Sequence, residues 1–213
     1  MVTYCRLVAE LLKWWSRNKR DFPWRRTRDP YKVLIAAVLL RRTNAAKVEP
    51  VYTRLIREFP DLHSLSEASV DYLAELLKPL GLHNLRAREL REIACELLTK
   101  YGSRIPDELE DLSKIRGIGT YIASAVACFA YGKPIPVIDS LVARVVSRLF
   151  NIRTPHHSVE DIFKYVSKLL ECGDAKKVNL ALIDLAALVC LPKRPKCRKC
   201  PLRAYCLTGS SSS

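Results

Sequence analysis

The sequence predicts an all-α protein, and three observations carry that prediction. Apolar residues recur at the i, i+3, i+4, i+7 spacing of helix faces along most of the 213 residues. No stretch shows the period of two that a half-buried strand requires. Glycines stand where the apolar stripes stop, as helix C-caps do.

In chain order, Tyr4, Leu7, Val8, Leu11, Leu12 and Trp15 mark the first helical face. Val33 to Leu40 is apolar all round, which suits a helix enclosed by others. Val48, Val51, Tyr52, Leu55, Ile56 and Phe59 form the next stripe, and Leu90, Ile93, Ala94, Leu97, Leu98 and Tyr101 another. A short helix from Leu112 is expected to end at Gly117, with Ile118 plugged inward and Gly119 opening a second helix that runs to about Tyr131. That second helix is rich in small residues (Ala123, Ser124, Ala125, Ala127, Ala130) and can pack closely. Pro134 and Pro136 keep the chain extended as far as Val137-Ile138-Asp139-Ser140, where a helix begins with Leu141, Val142, Val145, Val146 and Leu149 on one face. Val159, Ile162, Phe163, Val166, Leu169 and Leu170 make a further stripe. Gly81, Gly102, Gly132 and Gly173 are read as C-caps, the total is roughly ten helices, and 208–213 is expected to be a disordered tail.

About half of the residues are apolar (49%), so a packed core is within reach. Lys and Arg number 36 against 22 Asp and Glu, and the resulting charge of +14 points to a polyanionic partner, because each phosphate neutralised releases condensed counterions. No apolar run reaches the ~20 residues that span a bilayer. Leu7 to Leu12 is broken by Glu10 and followed by Lys13 and two tryptophans, unlike a secretory signal, so a reducing cytoplasm is the expected setting. Eight cysteines are not expected to form four disulfides there. Gln is absent, Asn occurs only at 18, 44, 84, 151 and 179, and Met occurs once, a composition like that of thermophile proteins depleted in heat-labile residues.

Four cysteines cluster as Cys190-x6-Cys197-x2-Cys200-x5-Cys206 in a segment rich in Pro, Lys and Arg. Zinc takes four thiolates, usually from two CxxC knuckles; a cubane takes one thiolate per iron and tolerates uneven spacing. The presence of a single CxxC favours the cubane over zinc and over unliganded thiols. Lys193, Arg194, Lys196, Arg198, Lys199 and Arg203 flank these cysteines and can face phosphates or simply solvent. Cys5, Cys95, Cys128 and Cys172 lie on or near apolar stripes and read as buried small hydrophobes.

The Gly117-Ile118-Gly119 turn aims backbone N–H groups outward at the positive end of the following helix, which makes a phosphate site that reads no base. An ordinary helix–helix turn with glycine caps would look similar, and the basic composition and the cysteine cluster favour the nucleic-acid reading. Asp139, taken alone, is an N-cap, and Tyr121, taken alone, is a core aromatic. Both simple readings weaken because the hairpin helix begins beside Tyr121 and the chain then returns toward it with Asp139.

From Phe22-Pro23-Trp24-Arg25 to Cys206 the chain resembles the helix-hairpin-helix, Gly/Pro-rich-loop, aspartate superfamily of DNA glycosylases, which includes endonuclease III and the MutY adenine glycosylases. The 6-2-5 cysteine spacing, the hairpin and the Val-Ile-Asp element occur in the same order. The resemblance implies two helical domains with DNA held in a cleft between them. A six-helix barrel carrying the hairpin would take residues 29–137; residues 1–28 with 138–207 would form the domain holding a [4Fe-4S] cluster on Cys190, Cys197, Cys200 and Cys206. It implies Asp139 as the catalytic carboxylate, Tyr121 as a pocket residue, and duplex contacts from Arg41, Arg42, Leu82, Asn84, Gly117, Ile118, Gly119, Lys196 and Arg198, with Arg42 and Leu82 plugging the gap left by a flipped base.

Bifunctional endonuclease III-like enzymes carry Lys where this chain has Tyr121, and MutY-like enzymes carry a catalytic Glu where it has Ala37. The nearest resemblance is to the archaeal mismatch glycosylase family MIG, through Leu-Leu-Arg-Arg-Thr, the Gly81-Leu82-His83-Asn84 turn, the hairpin Tyr and Asn179-Leu180, although that family often has an acid at position 37. The implied activity is monofunctional removal of thymine or uracil mispaired with guanine, by a monomer acting on duplex DNA in the cytoplasm, at the nucleoid. A glycosylase for another lesion and a non-catalytic DNA-binding module are the alternatives.

Overall fold

The computed structural model describes residues 2–152 and 159–209, which hold eleven α-helices, four short 3-10 turns and no strand. None of these helices is long and apolar enough to cross a membrane. The chain divides into two compact units, residues 21–131 and residues 1–20 with 132–213.

The unit of residues 21–131 is built on α2 (Pro30–Leu40), which buries Tyr31 and every residue from Val33 to Leu39. Asp29 caps its start by accepting from the Tyr31 and Lys32 N–H groups, and Pro30 occupies the first turn, where a missing N–H costs nothing. Being apolar on every side, α2 takes a central place, packed against α3 (Ala45–Glu58), α6 (His83–Tyr101) and α8 (Thr120–Phe129). Leu34, Ile35 and Leu39 are almost fully enclosed, and each such side chain contributes about 1.5–3 kcal/mol by leaving water. Two short helices, α4 (Leu62–Glu67) and α5 (Val70–Leu77), pack on α6, and α7 (Leu109–Lys114) packs on α8. Asp61 starts α4 with a capping box to Ser64, and Ser69 caps α5. The expected stripes of α3 and α6 are the buried faces: Val48, Val51, Tyr52 and Leu55 in one, Leu90, Ile93, Ala94 and Leu97 in the other.

The second unit packs α1 (Val2–Asn18), α9 (Ser140–Leu149), α10 (Val159–Leu170) and α11 (Ala175–Leu188) around one core that includes Leu7, Leu11, Val142, Val146, Leu169, Leu182 and Leu185. Two polar residues of α11 are fully enclosed, Asn179 and Asp184. Asp184 accepts from Trp15 Nε1 at 2.9 Å, from Arg20 Nε at 2.6 Å and from the Arg20 backbone N–H at 3.1 Å, which ties the end of α1 to α11. A buried carboxylate without such partners would be strongly destabilising.

The structure departs from the sequence expectations at several points. The helix before the hairpin ends at Lys114, not at Gly117, which instead lies in the turn with φ +86°. That positive φ favours glycine, and a Cβ there would press on Ile93 Cδ1 at 3.3 Å. Cys5 and Cys172 are not two buried hydrophobes: they form a disulfide, because the packing of α1 beside the end of α10 brings their Cα atoms to 4.9 Å. Within the expected tail, Thr208 and Gly209 are held by hydrogen bonds to the Arg148 carbonyl and to Cys206 Sγ, while 210–213 lie outside the described residues.

Candidate active site

Asp139 is the N-cap of α9. Its Oδ1 accepts from the N–H groups of Leu141 at 2.9 Å and Val142 at 2.8 Å. Burial raises the carboxyl pKa above the ordinary aspartate range, and hydrogen bonds from the backbone N–H groups of Val142, Leu141 and Asp139 itself, together with Arg144, only partly offset the rise. The approach to Asp139 is held from below: Asn179 of α11 accepts from the Val137 N–H and donates to the Ile135 carbonyl, each at 3.0 Å, pairing with the extended segment much as a neighbouring strand would. The sequence signal for Asn179 is an Asn set among the apolar residues Val178 and Leu180–Ile183 of α11.

The four clustered cysteines lie in the same unit and line one cavity of about 250 Å³, together with Arg148, Leu149, Leu185, Leu202 and Arg203. Arg148 of α9 fastens the loop, donating to Cys190 Sγ at 3.4 Å and to the carbonyls of Leu191 and Pro192 at 2.7 Å each. The Gly209 N–H donates to Cys206 Sγ at 3.3 Å. Burial pushes the Cys200 thiol up to about 11, and the other three thiols add to the rise, so the four sulfurs feel one another. Among the described residues no group of three or more His, Cys, Asp or Glu is arranged to hold a single metal ion. The Arg148 and Gly209 N–H donors are directed at two of the four sulfurs. Lys196 and Arg198 are exposed on this loop.

The unit of residues 21–131 holds the other predicted residues. Ile118 is buried and exposed Gly117 and Gly119 flank it, while Gly119 starts α8 with no side-chain cap, leaving first-turn N–H groups for an anion. Tyr121 is half-buried in that first turn. Ala37 is enclosed within α2.

Arg42 and Leu82 share a property that neither shows in the sequence. Both are non-glycine residues in the left-handed region, at φ +55° and +53°, and both are exposed, Leu82 to 64%. Such a conformation costs about 1 kcal/mol or more and persists only where the surroundings impose it, which concentrates it at working sites. Asn84 is exposed in the first turn of α6. Arg41 behaves differently: its guanidinium pairs with Glu89, and its buried Nε has no partner. Arg41 therefore faces α6, whereas Arg42 stands out from the protein.

Residues 35–172 match the model of the HhH-GPD superfamily base excision DNA repair proteins. A thymine/uracil-DNA glycosylase of Methanothermobacter thermautotrophicus is 33% identical over 201 residues, covering 93% of this chain and 91% of the relative. A solved thermostable thymine-DNA glycosylase superposes with a TM-score of 0.90 at 32% identity, covering 98% of this chain and 97% of the other. An endonuclease III trapped as a covalent intermediate with DNA superposes at 0.85, with 26% identity and coverage of 98% and 95%.

Proposed function

This chain belongs to the HhH-GPD superfamily of base excision DNA repair proteins, and from that premise we propose that it hydrolyses the N-glycosidic bond of thymine or uracil mispaired with guanine, with Asp139 as the catalytic carboxylate. It is a DNA glycosylase, and its likeness to enzymes named for thymine and uracil extends over nearly the whole chain. The observation that carries the mechanism is Asp139 itself, a partly buried carboxylate anchored through Oδ1 at the start of α9.

As the C–N bond lengthens, positive charge grows on the deoxyribose. An ionised carboxylate fixed beside that sugar stabilises the charge without having to reorganise, and it can orient the attacking water. Thymine and uracil depart as anions delocalised over their carbonyls, so they need less help from an acid than adenine does. Ala37, enclosed in α2, carries no proton, which disfavours adenine. A wobble pair is already weakened, so its pyrimidine flips at lower cost than one from a sound pair. Tyr121 is proposed to contact the flipped nucleotide. Without a lysine at that position there is no amine for a Schiff base, and the product would be an unbroken abasic strand. Arg42 and Leu82 would fill the vacated stack, and the hairpin amides, Lys196 and Arg198 would hold phosphates.

Cys190, Cys197, Cys200 and Cys206 would hold a [4Fe-4S] cluster, which would supply a rigid pin for the basic loop and take no part in bond cleavage. The donor set and the N–H···S bonds support that reading.

The test is a set of labelled duplexes carrying G·T, G·U, hypoxanthine, and adenine opposite 8-oxoguanine, followed under single turnover and developed with alkali. G·T or G·U should react fastest, and Asp139→Asn should abolish release. Fastest release of a purine would overturn the substrate; unchanged release by Asp139→Asn would overturn the mechanism.

A further inference from the structure

We propose that Arg86 is the positioning residue for base flipping: its buried guanidinium locks the turn that presents Arg42 to the helix that presents Leu82. The inference rests on the reading of Arg42 and Leu82 as the residues that plug the duplex.

Arg86 is 4% exposed, and it sits one turn into α6, where its backbone N–H closes the first helical bond onto the Leu82 carbonyl at 3.0 Å. Its side chain reaches in the other direction. Nη1 donates to the Leu39 carbonyl at 2.7 Å and to the Val38 carbonyl at 3.4 Å, at the C-terminal end of α2. Nη2 donates to the Arg41 carbonyl and to Thr43 Oγ1, each at 2.7 Å. Thr43 Oγ1 in turn donates to the Arg41 carbonyl at 3.2 Å.

A residue needed only to cap α2 would stop at the carbonyls of Val38 and Leu39, where the helix dipole already favours a cation. The second arm of the fork goes further and grips the residues on either side of Arg42. That grip explains how Arg42 stays in the left-handed region without being glycine. Leu82, also left-handed, is joined to the same side chain through the first turn of α6. One planar group thus spaces two exposed, strained residues that lie forty positions apart in the chain. Lysine could not replace it, because a single ammonium on a flexible stem cannot serve separate acceptors in a fixed plane. The signal was present in the sequence as a cation at helical spacing between Leu82 and Leu90, on the face that α6 buries.

Arg86→Lys, Arg86→Met and Thr43→Val would be compared on two duplexes, one with a G·T pair and one with a tetrahydrofuran abasic analogue opposite G, where no base pair has to be broken. Flipping is read as 2-aminopurine fluorescence beside the target. The single-turnover rate and the fluorescence amplitude on G·T should fall about tenfold or more in the Arg86 variants, as misplacement by an ångström can produce. Thr43→Val, which removes only one acceptor, should show a smaller loss in the same direction. Affinity for the abasic duplex should change about threefold at most, a small shift on the scale where each tenfold is a full step in binding free energy. Equal losses on both duplexes would overturn the inference in favour of a general folding role. Unchanged flipping in Arg86→Lys and Thr43→Val, with flipping lost in Arg42→Ala and Leu82→Ala, would also overturn it. If Arg42→Ala and Leu82→Ala flip normally, the plug reading fails and the inference falls with it. Should Arg86→Met not fold, Thr43→Val decides.

Discussion

Asp139 closes the start of α9 with one oxygen while burial holds its pKa above the unfolded value. With a raised folded pKa, the neutral form is favoured by folding, so the ionised form costs stability above that pKa and the cost disappears as pH falls below it. Catalysis needs the ionised form. Asp139→Asn keeps the cap and removes the charge, so it should be inactive yet melt at the same or a higher temperature at neutral pH. The difference in melting should shrink as pH falls through the raised pKa, and the wild-type rate should fall over the same interval. Calorimetry and a pH–rate profile check both; a variant that is markedly less stable at neutral pH would contradict the argument. At Tyr121 the expectation concerns chemistry alone. Borohydride should trap no covalent complex with wild-type protein, whereas Tyr121→Lys places an amine in the first turn of α8 and should allow trapping. High-yield trapping of wild type would sink the monofunctional reading. Asp139 as an N-cap and Tyr121 beside a glycine turn were legible in the sequence because a helix start and a glycine turn are local signals; the roles proposed for them came from the family resemblance, and the state of the Asp139 carboxyl only from its surroundings.

Among the elements, the hairpin and the cysteine loop show how far spacing reads through to structure. The glycines at 117 and 119 and the inward Ile118 followed from sequence, but the end of α7 shifted by three residues, since helix ends are set by which N–H and C=O groups find partners. Helices α4 and α5 had no sequence counterpart, because six and eight residues are too few to establish a period. Helix α11 was missed for the opposite reason: enclosed on most sides, it has little amphipathic contrast. In the cysteine loop, protein purified without oxygen should hold about four irons per chain and absorb near 400 nm, as a cubane on four thiolates would. Cys200→Ala should lose iron and the loop's protection from proteolysis while leaving the helical circular dichroism in place. Stoichiometric zinc with no iron would overturn the assignment.

For the molecule as a whole, the Cys5–Cys172 disulfide closes a loop of 167 residues between the first helix and the end of α10. A cross-link over so long a span mainly restricts the unfolded chain, and its removal should cost about 3 kcal/mol. For a chain of this size that is a fall in Tm of roughly 10 °C. Cys5→Ser should reproduce the effect of reduction, and reduction should not change the variant further. A Tm unchanged in Cys5→Ser would show that the bond carries no stability.

By itself the sequence determined the helical class, the hairpin and the clustering of four thiols, because helix periodicity, turn chemistry and short spacings are local properties that neighbouring residues impose on one another. Only the tertiary structure decided which cysteines bond to each other, that Arg41 turns inward to Glu89 while Arg42 stands out in a left-handed conformation, and that Arg86 and Asn179 hold the segments on which the chemistry depends. Each of those outcomes joins residues about forty or more positions apart, and the physical reason is the same in every case. A buried polar group must find a partner wherever packing brings one within reach, and the packing is a property of the assembled helices, not of any stretch of sequence.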